Sequence, residues 1–323
     1  MSFALPDHWV WDSWIADDGR EFHLFYLHAP KSLRDPGLRH RNARIGHATS
    51  TDLRTWTDHG AVLDAGLEAD HDSDATWTGS VTRGPDGVWR MFYTGARFTS
   101  PDSGENRETV LLATSTDLRS WTKATGFAVA ADPVWYETLP DRTWREEAWR
   151  DPWVVADPRG DGWHMLITAR ARDAVGDDRG VIGHAVSPDL ITWTTAPPLT
   201  APGAGFAHLE VPQTLTIDGH EFIVFSCDTA HLAGRRAGRE TGGIWAIRGA
   251  IGDELDAAAA ELVADEAIYA GRVVRDRDGS WVLIGFEYGG ERDDEFIGQI
   301  SDPIPLEVTA DGRLSTRVPE ATR

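Results

Sequence analysis

Asp86-Gly87-Val88-Trp89-Arg90-Met91-Phe92-Tyr93 is the stretch that decides the fold. An Asp-Gly pair supplies the backbone of a tight hairpin, and the aromatic and apolar run behind it suits a half-buried strand. The arrangement occurs four more times. Asp18-Gly19 precedes Phe22-His23-Leu24-Phe25-Tyr26, and Asp161-Gly162 precedes Trp163-His164-Met165-Leu166-Ile167. Asp218-Gly219 precedes Phe222-Ile223-Val224-Phe225, and Asp278-Gly279 precedes Trp281-Val282-Leu283-Ile284. Each pair is expected to be a two-residue hairpin with both central residues at positive φ. Successive pairs lie 68, 75, 57 and 60 residues apart, enough for one sheet per interval.

A second repeat is interleaved with the first. Thr49-Ser50-Thr51-Asp52-Leu53-Arg54-Thr55-Trp56 recurs as Thr114-Ser115-Thr116-Asp117-Leu118-Arg119-Ser120-Trp121, and more loosely as Val186-Ser187-Pro188-Asp189-Leu190-Ile191-Thr192-Trp193. Each copy reads as a strand end, a Ser/Asp turn and a Trp-bearing strand. Five hairpins, at least three of them followed by a second, predict about five four-stranded sheets: an all-β, five-bladed β-propeller. Helical periodicity is confined to Asp256–Val263, read as one short connecting helix or turn. The polar or Gly-rich segments 31–44, 100–107, 173–180 and 231–241 read as loops on the propeller faces. No composition shift marks a boundary, so residues 1–323 are expected to form a single propeller domain.

The net charge of −21 opposes phosphate backbones and anionic lipid, so neither nucleic acid nor a membrane is the expected partner. A neutral ligand fits better. No stretch is long and apolar enough to span a bilayer, and the start lacks the pattern of a secretory signal, which predicts a cytoplasmic protein. Cys227 is the sole cysteine, ruling out an intrachain disulfide or a cysteine metal cluster, and its apolar neighbours predict a buried, inert thiol. The remaining histidines lack metal-ligand spacing and no glycine loop suits a phosphate, so neither metal nor cofactor is implied. The Asp-rich loop His71-Asp72-Ser73-Asp74 is the one place open to a structural calcium.

The repeat also locates the chemistry. Counting back from the Asp-Gly turns, Asp12, Asp151 and Glu210 fall at similar places in the first, third and fourth units. The second unit has Trp77-Thr78-Gly79 there and the fifth has Tyr269-Ala270-Gly271. The first strand of a propeller blade lines the central axis, so these positions are expected to converge on one channel. Three acids in one channel are costly to bury unless they work there.

Those segments resemble the signature blocks of the five-bladed fructofuranosidases, glycoside hydrolase families 32 and 68. Trp11-Asp12-Ser13-Trp14 is similar to the levansucrase form of the nucleophile block, where family 32 more usually has Asn-Asp-Pro-Asn. Arg150-Asp151-Pro152 matches a block common to both families. Glu210-Val211-Pro212 resembles the acid block, with Val211 departing from its usual Cys or Arg. Trp77-Thr78-Gly79-Ser80 resembles a sugar-contacting Trp/Phe-Ser-Gly-Ser block. The C-terminal β-sandwich common in family 32 is not expected.

The resemblance implies a retaining glycosidase acting on a small oligosaccharide: Asp12 as nucleophile, Glu210 as acid/base and Asp151 gripping sugar hydroxyls. Neighbouring negative charge is expected to raise Glu210 and leave an acidic limb near about 4, the ordinary carboxylate value. Arg150 either keeps Asp151 charged or forms a structural pair with it. Trp11, Trp14, Trp77 and Trp149 either wall the pocket or pack the core. Thr78 belongs to the sugar-contacting block. His208, two residues from Glu210, either meets Glu210 or a hydroxyl, or is structural. A pentose-directed enzyme resembling family 43 and a non-catalytic sugar-binding propeller are the alternatives.

Overall fold

The computed structural model describes residues 2–289 and 296–317. They form five antiparallel sheets arranged as the blades of a propeller. Blade 1 comprises His8–Asp17, Phe22–Pro30, Arg44–Ser50 and Thr57–Leu63, in that order from the axis outward. Blade 2 comprises Ala75–Arg83, Trp89–Phe98, Asn106–Ser115 and Thr122–Lys123, with Glu146–Glu147 added parallel to the third strand. Blade 3 comprises Trp149–Ala156, Trp163–Arg170, Gly180–Ser187 and Thr194–Ala196. Blade 4 comprises Glu210–Ile217, His220–Cys227, Gly243–Arg248 and Glu261–Asp265. Blade 5 comprises Ile268–Arg275, Trp281–Gly289, Ile304–Val308 and Leu314–Thr316, with Phe296–Ile300 also on its second strand.

Each blade is drawn from one continuous run of chain. The ring is closed where Phe3 and Ile300 exchange two backbone hydrogen bonds of 2.9 Å.

The Asp-Gly turns are less uniform than their sequence suggests. Only Asp218-Gly219 is a two-residue hairpin, with φ of 50° and 81°. The other four loops run four to six residues and place only the glycine at positive φ. In three of them the aspartate instead holds the turn through its side chain: Asp18, Asp86 and Asp278 each accept a backbone N–H, from Glu21, Val88 and Ser280. A carboxylate that binds its own loop relieves the aspartate of a left-handed backbone.

The second repeat is an anchored turn. Asp52, Asp117 and Asp189 each accept two backbone N–H groups ahead of them and the hydroxyl of Ser50, Ser115 or Ser187. This drives Leu53, Leu118 and Leu190 into the left-handed region while burying each of them. The expected Trp-bearing strands start one residue later: Trp56, Trp121 and Trp193 lie in the turns. Segment 256–263 is a single 3-10 turn, Ala257–Ala259, followed by a strand. Segment 31–44 contains the 3-10 helix Pro36–Asn42, capped by the Asp35 carboxylate.

Cys227 is buried and its thiol is pushed up by burial. The loop at His71–Asp74 uses its carboxylates internally. Asp72 accepts from Tyr93 and Lys123, and Asp74 from the Phe98 N–H.

Candidate active site

All five inner strands carry a bulge at the same level. Pairing with the second strand breaks between Trp11 and Ser13, Trp77 and Gly79, Arg150 and Trp153, Glu210 and Gln213, and Tyr269 and Arg272. A regular strand alternates its faces. A bulge interrupts that alternation. Two successive residues thereby reach the axis: Trp11 with Asp12, Trp77 with Thr78, Arg150 with Asp151, Glu210 with Val211. Tyr269 joins them from blade 5.

This register corrects the expected equivalence of the acids. Asp12 and Asp151 occupy the bulge itself, together with Thr78, Val211 and Ala270. Glu210 sits one residue earlier, in the place of Trp11, Trp77, Arg150 and Tyr269. Asp151, Val211 and Ala270 hold φ of 60°, 53° and 50°, a conformation that costs a non-glycine residue about 1–3 kcal/mol.

The three acids line one pocket of about 480 Å³. Asp12 accepts a 2.5 Å hydrogen bond on Oδ2 from the Thr78 hydroxyl. Burial pushes its carboxyl up to about 6, with Thr78 and Arg39 opposing and Glu210 adding to the rise. Asp151 is pushed up to about 7, again chiefly by burial, against the pull of Arg150. Its Oδ2 accepts from the Thr168 hydroxyl at 2.7 Å and the Val211 N–H at 3.2 Å, tying the bulge of blade 3 to that of blade 4. Its N–H donates to Thr94 at 2.9 Å, securing it to blade 2.

Arg150 serves Glu210 rather than Asp151. Its Nη2 and Nε donate to Glu210 Oε1 at 2.6 and 3.2 Å, whereas the nearest approach to Asp151 is 3.8 Å. Its Nη1 donates to Glu108 at 3.1 and 3.2 Å and to Glu146 at 3.3 Å. Glu108 is fully buried, also accepts the Trp149 N–H at 2.9 Å, and is raised to about 8 by burial. The other Glu210 oxygen, Oε2, accepts from the Tyr269 hydroxyl at 2.6 Å.

Beneath the acids Arg272 donates to the carbonyls of Val211 and Pro212 in blade 4 and of Gly79 in blade 2. It is fully buried, and burial lowers it to about 10, so its charge lies under Asp12 and Asp151 as a strut across the axis.

The tryptophans divide. Trp11 and Trp77 wall the pocket, Trp77 donating its indole N–H to the His40 carbonyl at 2.7 Å. Trp14 and Trp149 do not reach it. Trp14 is in the core against Phe25, and Trp149 is packed on Tyr136 with its N–H on the Val129 carbonyl. Each lies on the blade-facing side of its strand, Trp149 as the direct neighbour of Arg150. His208 lines the pocket between Trp144 and His231. Burial and then Arg150 hold it far below the usual histidine value, so it is neutral, and among the described residues it makes no hydrogen bond to Glu210.

Residues 13–296 match the family described as the glycosyl hydrolases family 32 N-terminal domain. The chain belongs to glycosyl hydrolase family 32. The match spans Asp151 and Glu210 and starts one residue after Asp12.

Two relatives illustrate the family 32 likeness. "Beta-fructofuranosidase 1" of Zea mays is 32% identical over 160 residues, 48% of this chain and 21% of that protein. "Extracellular sucrase" of Zymomonas mobilis is 24% identical over 273 residues, 71% of this chain and 64% of that protein. The matches to three plant relatives span only 21 to 36% of their lengths. Among solved structures, the inulosucrase of Halalkalicoccus jeotgali superposes with a TM-score of 0.75 at 22% identity, over 97% of this chain and 87% of that one. The levansucrase of Gluconacetobacter diazotrophicus gives 0.77 at 16% identity, over 98% and 81%. These two share the propeller fold.

Several residues of this family 32 pocket were missed in the sequence. Tyr269 was visible as the fifth-blade counterpart of Trp11, but nothing marked its hydroxyl as a partner of Glu210. Arg39 and His40 come from the 3-10 helix, read only as a polar loop, and Arg39 packs over Phe296 at 4.1 Å. Asp228 and His231, hydrogen-bonded at 2.8 Å, come from the connection between the second and third strands of blade 4. Glu108, on a third strand, carries no sequence signal.

Proposed function

We propose that this family 32 chain is a retaining glycoside hydrolase that cleaves a β-fructofuranosidic bond in sucrose or short fructo-oligosaccharides. The observation that carries this reading is the meeting of Asp12, Asp151 and Glu210 in one pocket walled by Trp11 and Trp77. Relatives named as β-fructofuranosidases support it, as do structural neighbours bound to kestose and to sucrose.

Asp12 attacks the anomeric carbon through Oδ1, because Thr78 holds Oδ2. Glu210 gives its proton to the departing glycosidic oxygen. Arg150 faces Oε1 and has no acceptor, so the proton resides on Oε2, where the Tyr269 oxygen can receive a hydrogen bond as well as give one. The resulting fructosyl–Asp12 ester is opened by water, whose proton returns to Glu210. A sugar hydroxyl in place of that water gives transfructosylation. Asp151 binds hydroxyls of the fructosyl ring.

Incubation with sucrose, inulin-type and levan-type oligosaccharides, with the products identified, tests the reading. Release of fructose or fructosyl transfer is expected. Asp12→Asn and Glu210→Gln should each lower the rate by several orders of magnitude while the protein stays folded. Near-normal turnover in either variant would overturn the assignment. The pentose-directed alternative rested on family 43, which is not the family matched. Cleavage of chromogenic arabinofuranosides in place of fructosides would restore it.

A further inference from the structure

Glu108 has no part in the reaction as proposed, yet it is the most deeply buried carboxylate near the site, with an exposure of 0%. It stands on the third strand of blade 2, Asn106–Ser115, two strands out from the axis. It is not among the residues that line the pocket. Its contact with the site runs through one side chain. Both carboxyl oxygens of Glu108 meet Nη1 of Arg150, at 3.1 and 3.2 Å, and Oε2 also accepts the Trp149 N–H at 2.9 Å. The same guanidinium holds Glu210 through Nη2 and Nε at 2.6 and 3.2 Å. A guanidinium is a rigid planar fork, so fixing one nitrogen fixes the direction in which the others point.

We propose that Glu108 is a positioning residue for the reaction, holding Arg150 in the orientation that presents it to Glu210, and that it does so as an uncharged carboxylic acid. The proposal rests on the reading of Glu210 as the acid/base and adds a residue that acts on it without meeting substrate.

The charges around Arg150 favour the uncharged form. Among the described residues Arg150 is the only cation within ion-pair distance of Glu108. That cation is shared with Glu146 at 3.3 Å, Glu210 at 2.6 Å and Asp151 at 3.8 Å. Glu146 has a second partner in Arg145 at 3.1 Å, and Glu108 has none. A buried carboxylate with a fraction of one cation is costly, and a bound proton removes the charge. The protonated carboxyl keeps its acceptor capacity for Nη1 and the Trp149 N–H. The two glutamates that share Nη1 accordingly part ways. Burial raises Glu108 to about 8 against the pull of Arg150, with Glu146 adding to the rise. Against its own burial, Arg150 and Arg145 hold Glu146 below the usual range. An uncharged Glu108 leaves the positive charge of Arg150 to Glu146 and the pocket acids.

Three variants test this on the best fructoside, with thermal unfolding confirming the fold. Glu108→Gln keeps the shape and the acceptor without a charge, so kcat/KM should stay within about threefold of the parent, with an overlaying pH profile below about 8. Glu108→Leu removes the acceptor, and Glu108→Asp, gentler on the fold, withdraws it by one methylene. Both should lower kcat/KM by about tenfold or more, with the loss falling on kcat rather than KM and the alkaline side of the pH profile displaced. Infrared difference spectra between the parent and Glu108→Gln should show a protonated-carboxyl C=O band at neutral pH that fades as pH rises through about 8. A glutamine variant as impaired as the leucine variant, or no such band, would overturn the uncharged form. Full turnover with an unchanged pH profile in Glu108→Leu or Glu108→Asp would overturn the positioning role while leaving the fructoside reading intact. A parent inactive on every fructoside would overturn that reading and the positioning role with it.

Discussion

The Arg150 guanidinium lies 2.6 Å from the Glu210 carboxylate, across the boundary between blades 3 and 4, while keeping 3.8 Å from its own sequence neighbour Asp151. An arginine so placed orients the Glu210 carboxyl and occupies Oε1, leaving Oε2 to the Tyr269 hydroxyl.

Arg150→Gln should therefore damage both chemistry and stability. Two charge-assisted hydrogen bonds to Glu210 are lost, each about 1.5–3 kcal/mol, and kcat/KM should fall by roughly 100-fold or more. Glu108, already raised to about 8 by burial, would hold its proton and lose the donor that meets its carboxyl, at a cost of about 1–3 kcal/mol. Steady-state kinetics and urea unfolding read the two effects. Unchanged stability would contradict the network described.

Tyr269→Phe isolates the second contact on Glu210. The ring keeps its packing against Phe286, at 5.7 Å between centroids, so the unfolding midpoint should move little. Loss of the 2.6 Å donor should lower kcat/KM by about 10- to 100-fold. A large drop in unfolding temperature would show the hydroxyl to be structural.

The pH dependence follows from Asp12, whose carboxyl burial raises to about 6. In the proposed mechanism the Asp12 carboxylate attacks and must be ionised, so kcat/KM should fall as pH drops through about 6. This replaces the acidic limb near 4 expected from the sequence, where desolvation at the pocket floor was not visible. Asp12, Asp151 and Glu210 share one site, so the limb belongs to the coupled group. A plateau extending below pH 5 would contradict the burial of Asp12.

Asp151 makes a stability prediction of opposite sign to the usual surface carboxylate. Its folded value, about 7, lies above the unfolded 3.8, so between these values the folded protein holds the extra proton. Stability contributed by that proton is present below about pH 4 and is lost as pH rises through about 7. Asp151→Asn keeps an oxygen for Thr168 and the Val211 N–H but carries no charge. The variant should unfold several degrees higher than the parent at pH 8, with the gap closing towards pH 4, by scanning calorimetry at both pH values. A variant less stable at pH 8 would show that the carboxylate itself supports the bulge.

The sequence disclosed the blades because their turns and strands are written locally, in Asp-Gly pairs and Ser-x-Asp-Leu turns. It disclosed the acids because each stands beside a repeat landmark. What it hid is set by the bulges. A strict two-residue period cannot present both Trp11 and Asp12, or both Arg150 and Asp151, to one channel. It also gives no way to know that Trp14 and Trp149 turn away. The network around Glu210 was hidden for another reason: Arg150 and Tyr269, which hold Glu210, and Glu108, which holds Arg150, come from three blades, and only closure of the ring brings them together.

That closure has a kinetic side. The ring is shut by a two-bond exchange between Phe3 and Ile300, by Arg277 on Asp17 at 2.6 and 2.8 Å, by Arg54 on Asp276 at 3.0 Å and by Arg39 lying on Phe296, and no strand of blade 1 is lent to blade 5. As the one junction between neighbouring blades that no peptide connection bridges, this seam is where thermal breathing should begin, since opening it leaves every blade's own ladder intact. Asp12 stands on one side of that seam and Tyr269 on the other. Gentle warming should thus silence the enzyme reversibly at temperatures where its β-sheet signal is still complete, making turnover an early gauge of the parting of the first and last blades.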